Sequence, residues 1–256
     1  MKNYFISLLL TLLLIISSLI SSSQINLGNW QLGAHVGFVA YQGDLTPIFL
    51  GSYKNIKPTI GINISRILSP SLRLRTVVSL GKIIGDESIY PVPAFRRLRN
   101  LSFSTPFIEI SEVLVWNYLD HYDDIYYKKI SPYIFSGIGV SFLNISRSSA
   151  NVSPIYLANE REFALGLLQD LQTTPPKFVL VLPIGIGVEY YLSQAASVNF
   201  EINFRFTTTD YLDGFSKVAN LKSNDYYYTA AIGIIYRFNK KGTLGCPDLK
   251  YKNSFY

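Results

Sequence analysis

From Trp30 onward, apolar side chains recur at every second position. Trp30, Leu32, Ala34, Val36, Phe38 and Ala40 fall on one face of an extended chain and Gln31, Gly33, His35 and Gly37 on the other, which predicts a strand of about ten residues. The same period recurs at Ile60, Ile62 and Ile64, at Leu72, Leu74, Thr76, Val78 and Leu80, and at Ile138, Val140 and Phe142. It also runs through Ile108, Ile110, Leu114, Trp116 and Tyr118, where Glu112 interrupts the apolar face. It is clearest in three late segments, Phe178 to Tyr190, Val198 to Phe206 and Tyr226 to Phe238, which brings the expected total to eight strands.

The opposite faces carry Asn199, Glu201, Asn203, Arg205, Thr207, Glu189 and Arg237. A soluble sandwich would turn the apolar faces inward between two sheets, whereas a membrane barrel turns them to lipid and lines a narrow interior with the polar ones. The connections decide for the barrel. They alternate between long (Gln42 to Ile56, Lys82 to Ser102, Asn144 to Pro176, Thr208 to Asp225) and shorter (Ser69 to Ser71, Asp120 to Ser131, Ser193 to Ala196). With a periplasmic N-terminus, every long one lies outside the cell. Trp30, Trp116, Tyr118, Tyr133, Tyr190, Tyr236 and Phe238 then map to the periplasmic rim, where amphipathic rings are favoured. The expected fold is therefore all-β, an eight-stranded antiparallel outer-membrane β-barrel. Side chains just fill the interior of a barrel this size. Arg73, Arg75, Arg205 and Arg237 are expected to pair there with Glu109, Glu189 and Glu201, because isolated buried charge is costly, leaving a plugged lumen and no general pore.

The first residues form a separate segment. Lys2, the apolar run Phe5 to Ile20 and Ser21-Ser22-Ser23 have the layout of an export signal cleaved after Ser23, with a retained anchor as the alternative. This divides the chain into a signal peptide (1–23), a barrel (24–238) and a periplasmic tail (239–256). The composition, 48% hydrophobic and 16% charged, excludes disorder, and 19 Tyr with 16 Phe suit strands. The formal net charge of +6 is scattered, and Cys246, the only cysteine, excludes an intrachain disulfide.

Candidate chemistry is sparse. His35 and His121 are the only histidines, with no serine nucleophile near either in sequence, so catalysis is not expected. Asp120, His121, Asp123 and Asp124 fit no standard metal loop and read as a solvated turn. Gly137-Ile-Gly139 and Gly185-Ile-Gly187 lie inside strands rather than before helices, which argues against nucleotide binding. Neither a cofactor nor a metal is expected. Arg96, Arg97 and Arg99 make one outer loop basic, either solvated or in contact with anionic lipopolysaccharide. Residues 155–171 carry apolar positions at irregular spacing compatible with a short helix.

Five stretches in order resemble the PorG-like outer-membrane barrels associated with type IX protein secretion. They are Tyr41-Gln-Gly43-Asp44-Leu45, Phe95 to Phe103 (FRRLRNLSF), Ser131 to Val140 (SPYIFSGIGV), Leu182 to Tyr190 (LPIGIGVEY) and Thr209-Asp210-Tyr211-Leu212-Asp213. Cys246-Pro247 is similar to the family's ending, while Glu160-Arg161-Glu162-Phe163 stands where the family has a Gly-rich segment. The resemblance implies a non-catalytic component that tethers the periplasmic ring of lipoprotein and partner subunits to the outer membrane. It implies contacts with outer-membrane lipid and ring subunits, and none with nucleic acid or a small-molecule substrate. On this reading Tyr122, Tyr126, Tyr127, Lys128, Lys129 and Cys246 are the candidate ring contacts. Tyr41, Gly43, Asp44, Arg96, Arg99, Asn100, Asp210, Tyr211 and Asp213 are the family-motif residues of the outer loops, and Asp44, Arg96, Arg99, Asn100, Asp210 and Asp213 are expected to order those loops through charge-assisted bonds. An autonomous surface barrel for envelope integrity or adhesion is the alternative, and a lipid A enzyme using a histidine is a third reading.

Overall fold

The computed structural model describes residues 29–43, 45–46, 53–69, 71–118, 129–193, 195–218 and 225–238. The expected signal peptide, Asp44, the His121 cluster and the tail lie outside the described residues. Eight long strands are present: β1 (Trp30–Gln42), β2 (Lys57–Ser69), β3 (Leu72–Asp86), β4 (Ser102–Asn117), β5 (Ile130–Leu143), β7 (Phe178–Tyr191), β8 (Ala196–Thr207) and β9 (Tyr226–Arg237). A three-residue strand, β6 (Ser146–Ser148), extends the sheet beside the start of β4. All pairings are antiparallel, and β9 closes on β1 with Gln31 opposite Arg237 and Gln42 opposite Tyr226. This is a closed eight-stranded barrel, so no long edge is left to pair with another chain.

Alternation sets which side each residue faces. On β7 every second residue from Phe178 to Tyr190 is exposed and every intervening one from Val179 to Tyr191 is buried. The exposed set is Phe178, Leu180, Leu182, Ile184, Ile186, Val188 and Tyr190. The same holds on β1, where Leu32, Val36 and Phe38 face outward while Gln31 is fully buried. An apolar belt of this extent is untenable in water and matches a hydrocarbon surround. Phe178 to Tyr190 spans a height of about 30 Å, given about 3.3 Å per residue and a tilt near 40°. Aromatic rings flank the belt. Trp116 stacks edge-on against Tyr118 at 5.7 Å and Tyr236 against Phe238 at 5.3 Å at the short-turn end, with Phe206 against Tyr226 and Phe204 against Tyr228 toward the other.

One residue expected in that girdle is elsewhere. Tyr133 is 2% exposed and points into the lumen, because Pro132 and Ile134 occupy the outward phase of β5. Its hydroxyl donates to Glu201 Oε1 at 2.5 Å and accepts from Asn199 Nδ2 at 3.0 Å.

The interior is a stack of ion pairs. Arg73 Nη1 lies 2.9 Å from Glu189 Oε2, Arg205 Nε 2.7 Å from Glu109 Oε2, and Arg75 pairs with Glu201. Arg237 sits over the Tyr191 ring, 5.7 Å from its centroid. The void left at mid-barrel, beside His35, Asn63 and Arg75, is about 20 Å³, room for about one water molecule. At this level the described lumen is filled by side chains, as the charged inward faces lead one to expect.

Candidate functional site

The long connections fold into a cap over one mouth of the barrel, and this is where most sequence-predicted loop residues meet. Its apolar centre is formed by Tyr41, Leu45, Leu101, Phe103, Leu212 and Phe215, all nearly inaccessible, continuous with Phe163 and Leu167 above. Burying that surface removes the loops from solvent and gives them a core of their own.

The second long connection begins later than the sequence pattern suggests, because β3 runs on to Asp86. Asp86 accepts a bond from Ser88 N at 2.9 Å and starts a single 3-10 turn, Glu87–Ile89, that swings the Glu87 carboxylate inward. A five-residue helix, α1 (Phe95–Arg99), follows, ended by Asn100 in the left-handed conformation (φ 45°) with its N–H on Arg96 O at 2.7 Å. Asn is among the few side chains that adopt this geometry readily. The turn aims Arg96 and Arg99 back at Glu87. Arg96 Nη1 donates at 3.1 Å, Arg99 Nε at 3.0 and 2.9 Å to the two carboxylate oxygens, and Leu101 N at 3.2 Å, with Arg99 Nη2 also in contact. Arg99 Nη1 reaches on to Val218 O at 3.4 Å, joining this loop to the last one.

The expectation of a basic loop available to lipopolysaccharide is thereby corrected in part. Arg96 and Arg99 are buried against Glu87, and only Arg97 of the three is exposed. Both guanidiniums point inward to the one Glu87 carboxylate, which offsets part of their charge and holds them away from the loop surface.

The loop between β5 and β7 forms two helices rather than one irregular one: α2 (Pro154–Asn159) and α3 (Arg161–Gln172). On α3, Asp170 is fully buried. Its Oδ2 accepts the backbone N–H groups of Ser216, Lys217 and Val218 at 3.2, 2.9 and 3.2 Å, and its Oδ1 accepts from the Tyr211 hydroxyl at 3.2 Å. One carboxylate thus satisfies three consecutive amides that would otherwise be buried without partners.

The last long connection is held the same way. Tyr41 Oη lies 2.8 Å from both Asp213 Oδ2 and Asp225 Oδ1, while Asp213 Oδ1 accepts from Phe215 N at 2.8 Å and Asp225 Oδ2 from Leu212 N at 3.1 Å. Gly43 leaves the space in which this cluster closes, since a Cβ there would lie 2.0 Å from Asp225 Oδ1 and 2.1 Å from Tyr41 Oη. Gly214 has φ +84°, a conformation L side chains rarely adopt, and its carbonyl accepts from Arg147 Nη1 at 2.6 Å. Arg147 also reaches Thr173 O at 2.8 Å and so pins the end of α3.

Tyr41, Gly43, Arg96, Arg99, Asn100, Tyr211 and Asp213 are thus brought into one structure, and Asp210 sits half-buried beside them. Glu87, Asp170, Asp225 and Arg147, which complete it, escaped the sequence reading. The signal available for Asp170 was an isolated acid in the apolar run Leu167 to Leu171. Of the candidate ring contacts, only Lys129 is described. It is exposed at the short-turn end, and its carbonyl accepts from Tyr191 N at 2.9 Å. Tyr122, Tyr126, Tyr127, Lys128 and Cys246 lie outside the described residues. His35 lies in the lumen, its Nε2 3.4 Å from Ser79 Oγ, beside the mid-barrel void of about 20 Å³. Among the described residues no group of acids, histidines or cysteines has the arrangement of a metal site.

Replacing Asp213 with Ala removes acceptors from Tyr41 and Phe215 N together and should cost the cap about 1–3 kcal/mol. Limited proteolysis is expected to cut the 208–218 segment faster while the barrel still inserts; failure to insert would show that the cap and the barrel are one folding unit.

A closed barrel with an apolar belt, a lumen filled by ion pairs and a folded loop cap is a transmembrane β-barrel protein. The chain belongs to the DUF6089 family, described as a domain of unknown function, which matches residues 6–247. No curated protein matches it. Among solved structures it is similar to Neisserial surface protein A, with 11% identity, TM-score 0.47, and 82% of this chain and 97% of that one covered. It is also similar to the outer membrane protein OprG from Pseudomonas aeruginosa (10% identity, TM-score 0.45, 82% and 96% covered). A third is a major outer membrane protein from Thermus thermophilus (10% identity, TM-score 0.44, 82% and 99% covered). These likenesses are of fold alone.

Proposed function

We propose that this protein is a non-catalytic outer-membrane barrel that tethers the periplasmic ring of a type IX protein secretion machine, with both chain ends in the periplasm and the cap outside the cell. The observation that carries the reading is that three of the five stretches resembling PorG-like barrels build one object. Tyr41, Gly43, Leu45, Arg96, Arg99, Leu101, Phe103, Leu212 and Asp213 all contribute to the cap. Their polar groups are engaged with one another, and ion pairs fill the lumen among the described residues. Both features suit a fixed anchor. Ring binding then falls to the short-turn end, where Lys129 is exposed and Tyr122, Tyr126, Tyr127 and Lys128 precede it in sequence, and to the tail with Cys246.

Exposed apolar side chains on the cap, Leu98, Ile155, Leu165 and Leu168, favour a second reading as an autonomous surface barrel that makes its contacts through the loops. An in-cell cross-linking pull-down with an affinity tag in an outer loop separates the two. Recovery of periplasmic ring subunits, lost on deletion of residues 240–256, supports the tether. Recovery of the barrel alone overturns it and leaves the surface reading.

A further inference from the structure

Glu112 occupies a position that the anchoring role does not use. On β4 the inward residues are Ser111 and Val113, 3% and 1% exposed, so Glu112 lies on the outer face among Ile108, Ile110, Leu114 and Trp116. It stands four residues from the girdle at Trp116, about 10 Å into the belt. Among the described residues its hydrogen bond is from Thr76 Oγ1, directly across on β3, at 2.6 Å. Ser136, also outward, faces Leu114 from β5 and is diagonal to the carboxyl group. Thr76, Glu112 and Ser136 are outward polar side chains on three consecutive strands of one wall, whereas the outward positions Ala230, Ile232 and Ile234 of β9, diametrically opposite in the strand order, are apolar. Beside the patch the wall is hollowed by about 480 Å³ between Leu114, Trp116, Ile134, Ser136 and Ile184.

A carboxyl group in hydrocarbon is costly even when protonated, and the cost falls only if a polar partner meets it at its own depth. Lipid chains offer none there, and headgroups lie at the girdle. Copies of one chain insert in the same sense, so a two-fold axis relating them runs along the membrane normal and brings each residue to its counterpart at equal depth. We propose that this wall is a dimer interface for a second copy of the chain, in which Glu112 meets Glu112 of the other copy. The two carboxyl groups meet face to face, and Thr76 and Ser136 bring hydroxyl groups to them from both sides. The patch is self-complementary because carboxyl and hydroxyl groups each donate and accept.

The inference rests on insertion into a bilayer, and the experiment scores that separately. Full-length protein carrying Cys246→Ser is expressed with Leu114→Cys beside the patch, or with Ile232→Cys on the opposite wall as control, and envelopes are oxidised. Leu114→Cys is expected to give a disulfide-linked dimer and Ile232→Cys none. Adding Glu112→Leu should lower the dimer fraction roughly tenfold, on the scale of one to two membrane hydrogen bonds. Glu112→Gln, which still donates and accepts, should retain most of it. Absence of the Leu114→Cys dimer, linkage to a different protein, or a dimer unmoved by Glu112→Leu each overturns the pairing. Heat-modifiable migration of the same samples reports barrel insertion. Its retention without cross-linking rejects the dimer alone, and its loss rejects the membrane reading beneath it.

Discussion

Replacing Glu87 with Leu is expected to release the cap while the barrel stays inserted. The Glu87 carboxylate is fully buried and receives Arg96, Arg99 and the Leu101 amide. Its removal takes away the buried carboxylate to which both guanidiniums donate, a change that costs about 3–5 kcal/mol. The loss falls on loops rather than strands, because the pair joins the second long connection to the last one through Arg99 and Val218 O. Glu87→Gln retains an oxygen acceptor and loses the charge, so a smaller loss is expected. Arg97→Ala alters an exposed side chain and should stay within about 0.5 kcal/mol. Hydrogen exchange at Leu101 and at the amides of residues 216–218 provides the readout: faster exchange there, with strand amides unchanged, is the expected result. Protection equal to that of the unsubstituted protein would mean that the apolar centre alone holds the cap.

The strands were legible in the sequence because the signal is local. Alternation at Phe178 to Tyr190 and at Val198 to Phe206 reads directly as outward and inward faces, and the barrel follows from the polarity of the second set. Tyr133 shows where this fails: an aromatic ring near a strand end looks like a girdle residue, and only the phase set by Pro132 and Ile134 sends it inward. The lumen pairs were legible as a group, since every inward charge needs a partner, but not as pairs. Arg73 meets Glu189 across 116 positions, and the barrel closure that joins them is not a local property. The cap was the least legible. Its carboxylates take backbone amides as partners, as Asp170 does, and any residue but proline can supply an amide N–H. The motif residues Arg96, Arg99 and Asp213 could be picked out, but their acceptors and donors could not.

Breaking the fully buried Arg73–Glu189 pair of the lumen should cost more than deleting it whole. Arg73 and Glu189 are both fully inaccessible; Gln31 Oε1 accepts from Arg73 at 3.1 Å, and Ser197 Oγ donates to Glu189 Oε1 at 2.6 Å. Arg73 also lies over the Tyr133 ring, 5.2 Å from the centroid. Arg73→Met leaves the Glu189 carboxylate buried without its cation, and a loss of about 3–5 kcal/mol is expected, with a similar loss for Glu189→Met. The double substitution removes both charges at similar volume, and apolar replacement of a buried pair is often neutral. Urea titration of the barrel refolded into detergent micelles should therefore place the double variant within about 2 kcal/mol of the original protein and well above either single one, a coupling of several kcal/mol. Additive losses would mean that the two charges are solvated independently, contrary to the complete inaccessibility of both side chains. The barrel's ion pairs are better understood as a way to keep the interior polar, matched and closed than as a source of net stability. Strands that present apolar faces to lipid must place their remaining side chains inside, and charges that cancel fill that space without opening it to water.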